Sequence, residues 1–375
     1  MNTRSMYTPM DKLRAWMVLL GLVIHSAMSY RGTNDMSWPL HLKNNSVFLT
    51  NLVELIHAFR IPVFFFVSGI FGAKAYDTYG IQHVLFHRIR RIALPFIIFI
   101  ILMNTIIVLS APMLSSEYIK FLPTNLRTTE WSIAQFIPSQ LYHLWFLYYL
   151  FLVSVFIIFL SYFLDKVTTK GLTFWVNKIK IHPILITFLL GITVFFIMII
   201  NQFEPFETLT HWTPNLALFL YYSLFYLTGW ILFYRYVQLT QLKKFRYWFL
   251  LLGLFFFFIL KQPFIEGIHG VKALIYAFMS VLLFMASLSF AFQNDAFNPI
   301  LTYLARASYW IYILHFFIAI GFVILFDSIP ISTTFKFIVV LFGSSGCSFL
   351  LYHLLIYKRK IDALILGNST LITSK

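Results

Sequence analysis

The sequence has few charged residues, few acids and a single cysteine. Only 11% of its 375 residues are charged, and just 13 residues are Asp or Glu. Soluble domains carry about 25% charged residues, so this composition excludes an ordinary soluble globular protein. The single cysteine, Cys347, excludes a scaffold held by intramolecular disulfides. Together with a mean hydropathy of +0.82, the shortage of charge indicates a polytopic membrane protein.

Long apolar runs take the place of the missing charge. A helix needs roughly 20 residues to cross about 30 Å of hydrocarbon, and ten runs approach that length. The predicted fold is therefore all-α, a polytopic membrane bundle of about ten transmembrane helices in one integral-membrane domain, residues 1–375. The runs are centred near residues 13–30, 48–71, 92–110, 140–163, 182–201, 212–234, 247–262, 270–292, 299–326 and 332–356.

The basic residues between the runs predict the orientation. Cytoplasmic connections of membrane proteins hold an excess of Lys and Arg. With the N-terminus inside, 20 of the 28 Lys and Arg residues fall in inside segments, seven fall outside, and Arg60 lies within a helix. We therefore expect both termini in the cytoplasm. The net charge of +15 does not indicate nucleic-acid binding, because the basic residues form short flanks and no basic domain.

Two of the runs contain ionisable residues at membrane depth. His25 lies in the first run, and Glu54, His57 and Arg60 recur every three residues in the second. A central arginine costs about 2.5–3.5 kcal/mol on insertion scales, so such residues usually face a bundle interior and mark a site. At about 1.5 Å per residue, two antiparallel helices place His25, Glu54 and His57 at similar depth.

This membrane cluster admits two interpretations. Glu54 and Arg60 could form a structural ion pair beside two hydrogen-bonded histidines. Alternatively, an imidazole beside a carboxylate is what a general base requires near neutral pH. We expect the second arrangement, in which His25, Glu54 and His57 are catalytic residues.

A second basic cluster lies where the third run begins, in the stretch HVLFHRIRRIALPF. Arg88 and Arg91 lie one helical turn apart there. Their guanidinium groups could be topology signals, or they could bind phosphate through bidentate contacts. The spacing of His83 and His87 would suit a metal, but no third ligand is evident. No metal site is predicted.

Several short motifs follow one another in an order that is typical of one family. They are RAWMVLLGLVIH from Arg14 to His25 with Asp11 before it, FFFVSG ending at Gly69, Arg88-x-x-Arg91 followed by Pro95, HLWFL at 143–147, and ASYWIYILHFF at 307–317. In this order they resemble the acyltransferase-3 family of bacterial membrane acyltransferases, across nearly the whole chain. The chain lacks the WSLxxE-like motif of some polysaccharide acetylases and a fused periplasmic domain. LRAW at 13–16, the Glu54–His57–Arg60 pattern and HLWFL resemble the branch that succinylates osmoregulated periplasmic glucans.

The resemblance implies an acyl-CoA-dependent O-acyltransferase of the bacterial inner membrane. It would move a succinyl or acetyl group from cytoplasmic acyl-CoA to a hydroxyl group of a periplasmic or cell-surface glycan. Acyl-CoA would be a co-substrate, with no bound cofactor. The partners would be acyl-CoA, the glycan acceptor and the lipid bilayer, and no nucleic acid. Direct transfer and an acyl-histidine intermediate both stay open.

The resemblance also implies roles for individual residues. His25 would take the proton of the acceptor hydroxyl or carry the acyl group, and Glu54 or His57 would orient it. His315 could equally be a core histidine hydrogen-bonded to a neighbour. The donor phosphates would contact Arg14, Arg88 and Arg91, whereas the acyl group and the acceptor would contact Arg60, His143, Trp145 and His315.

A transporter or flippase is the competing class, because it would also need buried charge and a central path. Many transporters show internal repeats with paired broken helices, and no such repeat is evident here. The arginines also gather at one end of the predicted bundle. Both observations favour an enzyme over a transporter.

Overall fold

The chain forms a bundle of α-helices. The computed structural model describes residues 3–31, 38, 45–110, 132–167, 182–202, 210–235, 239–265, 267–293 and 298–357. Ten α-helices occur in these ranges, and they are numbered here in chain order. They are α1 Thr3–Ala27, α2 Val47–Arg88, α3 Leu94–Ser110, α4 Trp145–Val167, α5 Pro183–Asn201, α6 Leu216–Phe233, α7 Arg246–Leu260, α8 His269–Ala291, α9 Pro299–Asp327 and α10 Thr333–Leu351.

The all-α membrane prediction is confirmed. Eight helical runs in the described part of the chain are long and apolar enough to cross a membrane. One of them, Val47–Ser110, contains two of the ten predicted runs, and the predicted run at 247–262 forms α7, which has only 15 residues. Each predicted run is therefore helical. The cytoplasmic location of both termini stays a prediction.

The faces that the helices turn away from one another are apolar. Phe258, Trp248 and Phe342 are each about two-thirds exposed or more, at 67%, 67% and 72%. A water-soluble protein would not present such a surface, whereas lipid tails are a suitable solvent for it. The polar and charged side chains described below lie mainly in the bundle interior.

Helix starts follow ordinary capping chemistry. The side chain of Asn298 accepts from the backbone N–H groups of Ile300 and Leu301, at 2.9 and 3.2 Å, and Pro299 occupies the first turn of α9. Asn215 accepts from Leu218 N–H at 2.9 Å at the start of α6. A helix leaves its first N–H groups without intrahelical partners, and these side chains satisfy them.

The long helix α2 reverses at Gly80. This residue has φ +75° and ψ 177°, a conformation that glycine adopts without steric cost. Eight residues later, Arg88 donates hydrogen bonds to Ser68 Oγ and to the Ser68 carbonyl, both at 3.1 Å. In a straight helix, residues 20 positions apart would be about 30 Å apart. The reversal therefore returns the second arm of α2 to the first and brings Arg88 inside the bundle.

Helices α2 and α6 approach closely through glycines. A Cβ atom on Gly229 would collide with the Phe66 carbonyl, and one on Gly69 would collide with the Tyr226 carbonyl. Small residues at such contacts allow the backbones of membrane helices to pack against each other. This contact fixes the first arm of α2, on which Glu54, His57 and Arg60 lie.

Gly229→Ala is expected to destabilise the bundle. The added methyl group would meet backbone atoms that cannot rotate away, and overpacking typically costs about 1–3 kcal/mol. We expect a lower melting temperature for the purified protein in detergent. Gly321→Ala is the matched control, because a Cβ atom there meets nothing within 4 Å. Equal melting temperatures for the two variants would contradict this description of the α2–α6 contact.

Candidate active site

A large cavity lies between α1, both arms of α2, α4 and α9. Its volume is about 690 Å³. Asp11, Arg14, Arg88, Arg91 and Arg306 line one part of it. On α1, Arg14 and His25 are separated by about 16 Å along the helix axis at 1.5 Å per residue. The cavity is therefore polar at the arginine end and extends towards the histidines.

The charge of this cavity is strongly positive. Five arginine side chains line it, against one carboxylate, Asp11. Asp11 pairs with Arg14 at 3.7 Å, and Arg14 Nη2 donates to Ser308 Oγ at 3.4 Å. One acid cannot neutralise five guanidinium groups, so the cavity suits an anionic ligand such as a phosphate.

Arg88 and Arg91 occupy different environments within the cavity. Arg88 donates to Ser68 Oγ, to the Ser68 carbonyl and to Tyr226 Oη, each at 3.1 Å, so much of its donor capacity is used inside the protein. Arg91 lies in the π-helical turn Ile89–Ala93, at the start of the third predicted run. Arg88 thus stabilises the reversal of α2, while Arg91 is the better placed of the two to contact a ligand.

A second, much smaller cavity contains most of the predicted catalytic and acceptor residues. Its volume is about 30 Å³. The residues that the sequence predicted for this chemistry and that line it are His25, His57, Arg60, His143 and Trp145.

Four residues line both cavities and lie between them. We call these residues the wall: Arg60, Ile61, Phe146 and Tyr312. The rings of Phe146 and Tyr312 meet edge to face with centroids 5.6 Å apart. Arg60 is only 5% exposed, and its Nε has no hydrogen-bond partner among the described residues. A buried guanidinium therefore stands where the two cavities meet.

Three histidines form a cluster beside this wall. The ring centroids of His25 and His315 are 4.8 Å apart, and those of His143 and His315 are 5.9 Å apart. His315 lines the larger cavity, whereas His25 and His143 line the smaller one. The cluster therefore connects the two cavities.

Backbone carbonyls fix the tautomers of two of these rings. His315 Nδ1 lies 2.7 Å from the Ile311 carbonyl, and His143 Nε2 lies 3.2 Å from the Tyr312 carbonyl. A carbonyl can only accept, so each of these nitrogens carries the proton in the neutral ring. The opposite nitrogens, His315 Nε2 and His143 Nδ1, are buried and have no partner in the part of the chain that the structure describes.

Trp38 covers the ring of His25. The two rings stack with centroids 5.4 Å apart, and Trp38 Nε1 donates to Ser29 Oγ at 2.8 Å. Trp38 also meets Phe316 edge to face at 5.3 Å. Because these contacts restrict rotation of the imidazole, Trp38 holds the ring of His25 in position.

The structure brings most of the predicted site residues together. His25, His57, His143 and Trp145 lie around the smaller cavity, and Arg14, Arg88 and Arg91 lie around the larger one. Arg60 borders both cavities, and His315 contacts His25 from the larger one. The residues predicted to bind the donor and most of those predicted for catalysis and the acceptor thus lie around different cavities, and their roles stay predictions.

The placement of Glu54 corrects the sequence-based prediction. Glu54 lines neither cavity and forms an ion pair with Lys261, which follows α7. The reason is helical rotation, because residues six positions apart point about 120° away from each other. Arg60 faces the interior, so Glu54 cannot also do so. Among the described residues, Glu54 orients neither histidine and does not pair with Arg60. The alternative prediction, a structural ion pair between Glu54 and Arg60, is therefore also wrong, because the partner of Glu54 is Lys261.

Glu54→Gln is therefore expected to leave the rate of the predicted acyl transfer within about twofold of the wild-type rate. An ion pair of partly exposed side chains contributes about 0–1 kcal/mol, so stability should change little as well. The measurement is the rate at which purified protein releases CoA from an acyl-CoA, the reaction that the family resemblance predicts. His57→Gln, three residues further along α2, is the paired variant and should lower the rate. A large loss in Glu54→Gln alone would restore Glu54 to the site.

Sequence reasoning missed several residues of the site. Arg306, Tyr309, Tyr312 and His315 all line the larger cavity; the family motif suggested a lining role for Tyr309 and His315, whereas Arg306 and Tyr312 were not predicted. Their three-residue spacing along α9 is a signal for one helix face. Arg306 was instead counted only as a topology signal. The basic residues at 358–360 and 375, which entered the orientation count, lie outside the described residues.

No group of three or more His, Cys, Asp or Glu side chains in the described ranges could hold a metal ion. His83 and His87 stack with ring centroids 5.8 Å apart.

The fold and the site define a polytopic membrane protein in which a basic cavity meets a histidine cluster.

The chain belongs to the acyltransferase-3 family, whose acyltransferase domain matches residues 9–353. Glucans biosynthesis protein C of Salmonella typhi is 35% identical over 86 residues, which are 23% of this chain and 22% of that protein. The protein of the same name from Escherichia coli strain K12 is 31% identical over a segment of the same length, with the same coverage. The similarity therefore covers about a fifth of these curated relatives. No solved structure matches the chain.

Proposed function

We propose that this protein transfers an acyl group from acyl-CoA to a hydroxyl group of a glycan outside the bacterial inner membrane. The observation that supports this most directly is the pair of cavities that meet at the wall. One cavity is basic and the other contains histidines. An anionic donor and a neutral acceptor would thus approach one reaction centre from two sides.

The donor would enter at the arginines. Arg91, Arg14 and Arg306 would contact the phosphates of acyl-CoA through charge-assisted hydrogen bonds. The positive-inside prediction places this end in the cytoplasm, where acyl-CoA is made. The pantetheine arm would then extend along α1 and place the thioester near His315 and the wall.

His25 would act as the general base. Its buried Nδ1 has no hydrogen-bond partner among the described residues, and Trp38 holds its ring. A neutral imidazole in this position can take the proton of an acceptor hydroxyl. Arg60 would stabilise the negative charge that develops on the carbonyl oxygen, because its guanidinium is fixed at the wall before the reaction starts.

The acceptor would approach from the smaller cavity. His57, His143 and Trp145 line that cavity and would contact the sugar. The named relatives suggest a glucan, and osmoregulated periplasmic glucan is our leading acceptor, with succinyl or acetyl as the acyl group. Another envelope polysaccharide is the alternative acceptor.

The test is CoA release by the purified protein in detergent, with acetyl-CoA and succinyl-CoA compared side by side and with glucan added. We expect steady-state release that depends on the acceptor and on His25. The preferred donor identifies the acyl group. If wild-type protein consumed neither donor in the presence of glucan, the proposed reaction would be wrong, and transport would become the better hypothesis.

A further inference from the structure

His315 on α9 faces the donor cavity more directly than His25 does. It lines the larger cavity together with the arginines, whereas His25 lines only the smaller one. A thioester that arrives in the larger cavity would therefore meet His315 first. The side chain is 3% exposed, so bulk water has little access to it.

The hydrogen bonding of His315 leaves a nucleophilic nitrogen at that position. Nδ1–H donates to the Ile311 carbonyl at 2.7 Å, which places the lone pair on Nε2 in the neutral ring. Nε2 is buried and has no partner among the described residues. A ring oriented by one hydrogen bond and unpaired at its other nitrogen is the arrangement that nucleophilic catalysis requires.

We propose that His315 carries the acyl group between donor and acceptor, an inference that rests on the proposed function. In the first step, His315 Nε2 attacks the thioester carbonyl carbon. The N–C bond forms, the C–S bond breaks, and CoA leaves as the thiolate. The acylated ring retains its Nδ1 proton, which is donated to the Ile311 carbonyl, and is an acyl-imidazolium whose positive charge the CoA thiolate in the same cavity offsets.

In the second step, the acceptor hydroxyl attacks the same carbonyl carbon. Its proton passes to His25, the O–C bond forms, and the N–C bond to His315 breaks. His315 returns to its neutral tautomer, His25 gives its proton to solvent on the side of the smaller cavity, and the thiolate takes up a proton from solvent on the side of the larger one. The ring centroids of His25 and His315 are 4.8 Å apart, so the base lies next to the acylated nitrogen's ring. The net products are the ester and CoA.

This division of labour assigns different effects to the two histidines. Without His25, His315 can still be acylated, but the acceptor oxygen is not activated. Without His315, no acyl-enzyme forms. His25→Ala should therefore trap the acyl group on the protein, and His315→Gln should prevent trapping.

The experiment uses full-length protein in detergent with radiolabelled acetyl-CoA and succinyl-CoA. Samples are quenched and digested, and the labelled peptide is identified by mass spectrometry. We expect stoichiometric label at His315 in His25→Ala, released by hydroxylamine, and no label in His315→Gln. His353→Gln is the matched control, because His353 contacts Tyr303 and lines neither cavity. It should behave as wild type.

Three results would overturn the proposal. The first is label on His25 in the wild-type protein. The second is undiminished label in His315→Gln. The third is the absence of trapped label in His25→Ala while the wild type shows normal acceptor-dependent turnover. Each of these would leave the proposed transferase function intact. Loss of folding in His315→Gln is checked by size-exclusion chromatography, and label mapping in His25→Ala does not depend on that variant. If wild type consumed no acyl-CoA, the proposed function itself would fail.

Discussion

His25→Ala is expected to lower the steady-state rate of acyl transfer by about 10²–10⁴-fold, the usual contribution of a general base. The imidazole lies in contact with His315 and under Trp38, where it can reach an acceptor hydroxyl in the smaller cavity. Alanine removes the proton acceptor and leaves the donor cavity unchanged. The loss should therefore appear in kcat, and the KM for acyl-CoA should fall with it if His315 is acylated first, because the slowed step then follows the consumption of acyl-CoA.

Rapid-mixing measurements of CoA release and ester formation would check this expectation. A single burst of CoA release should remain in His25→Ala if His315 is the nucleophile. Trp38→Ala should lie between wild type and His25→Ala, since it frees the ring without deleting it. A kcat within tenfold of wild type for His25→Ala would rule out His25 as the base.

Arg91→Ala is expected to raise the KM for acyl-CoA by about 10–100-fold. A hydrogen bond to a charged group contributes about 1.5–3 kcal/mol, and loss of one phosphate contact falls in this range. Arg90 is the matched control, since it is a neighbouring exposed arginine that does not line the cavity. Arg90→Ala removes the same charge and should change the KM by less than about twofold if long-range attraction is screened.

The effect of Arg91 can be separated from that of Arg88. Arg88→Ala removes hydrogen bonds to Ser68 and Tyr226, so it should lower the melting temperature as well as donor affinity. Arg91→Ala should lower affinity alone. Equal KM increases for Arg90→Ala and Arg91→Ala would mean that general positive charge, and not the cavity, attracts the donor.

The helices and much of the site could be predicted from the sequence because the signals are local. A long apolar run predicts a spanning helix regardless of its neighbours, and an ionisable residue within such a run predicts an interior position. His25, His57 and Arg60 satisfied both conditions, and their placement around the wall follows. The family resemblance then associated Arg14, Arg88 and Arg91 with one another across distant parts of the chain.

The remaining features depend on tertiary structure. The three-residue spacing of Glu54, His57 and Arg60 suggested one shared face, but the 60° drift at each step turns Glu54 towards Lys261. The partner of Glu54 is 207 residues away in the sequence, and no local pattern identifies it. In the same way, the spacing of Arg306 and its neighbours marks one face of α9, but the cavity on that face forms only when α9 packs beside α1.

The wall has a consequence for the membrane as an electrical insulator. A transferase whose donor and acceptor lie on opposite sides of a bilayer must let the acyl group cross between them. A continuous open channel would also let protons and sodium ions leak. Tyr312, Phe146 and Ile61 close the space between the two cavities, and the buried charge of Arg60 adds an electrostatic barrier to cations. Only the acyl group, bonded first to one partner and then to another, needs to pass this point. Under the proposed function, the cell would thereby modify an external polymer from an internal donor without discharging its ion gradients.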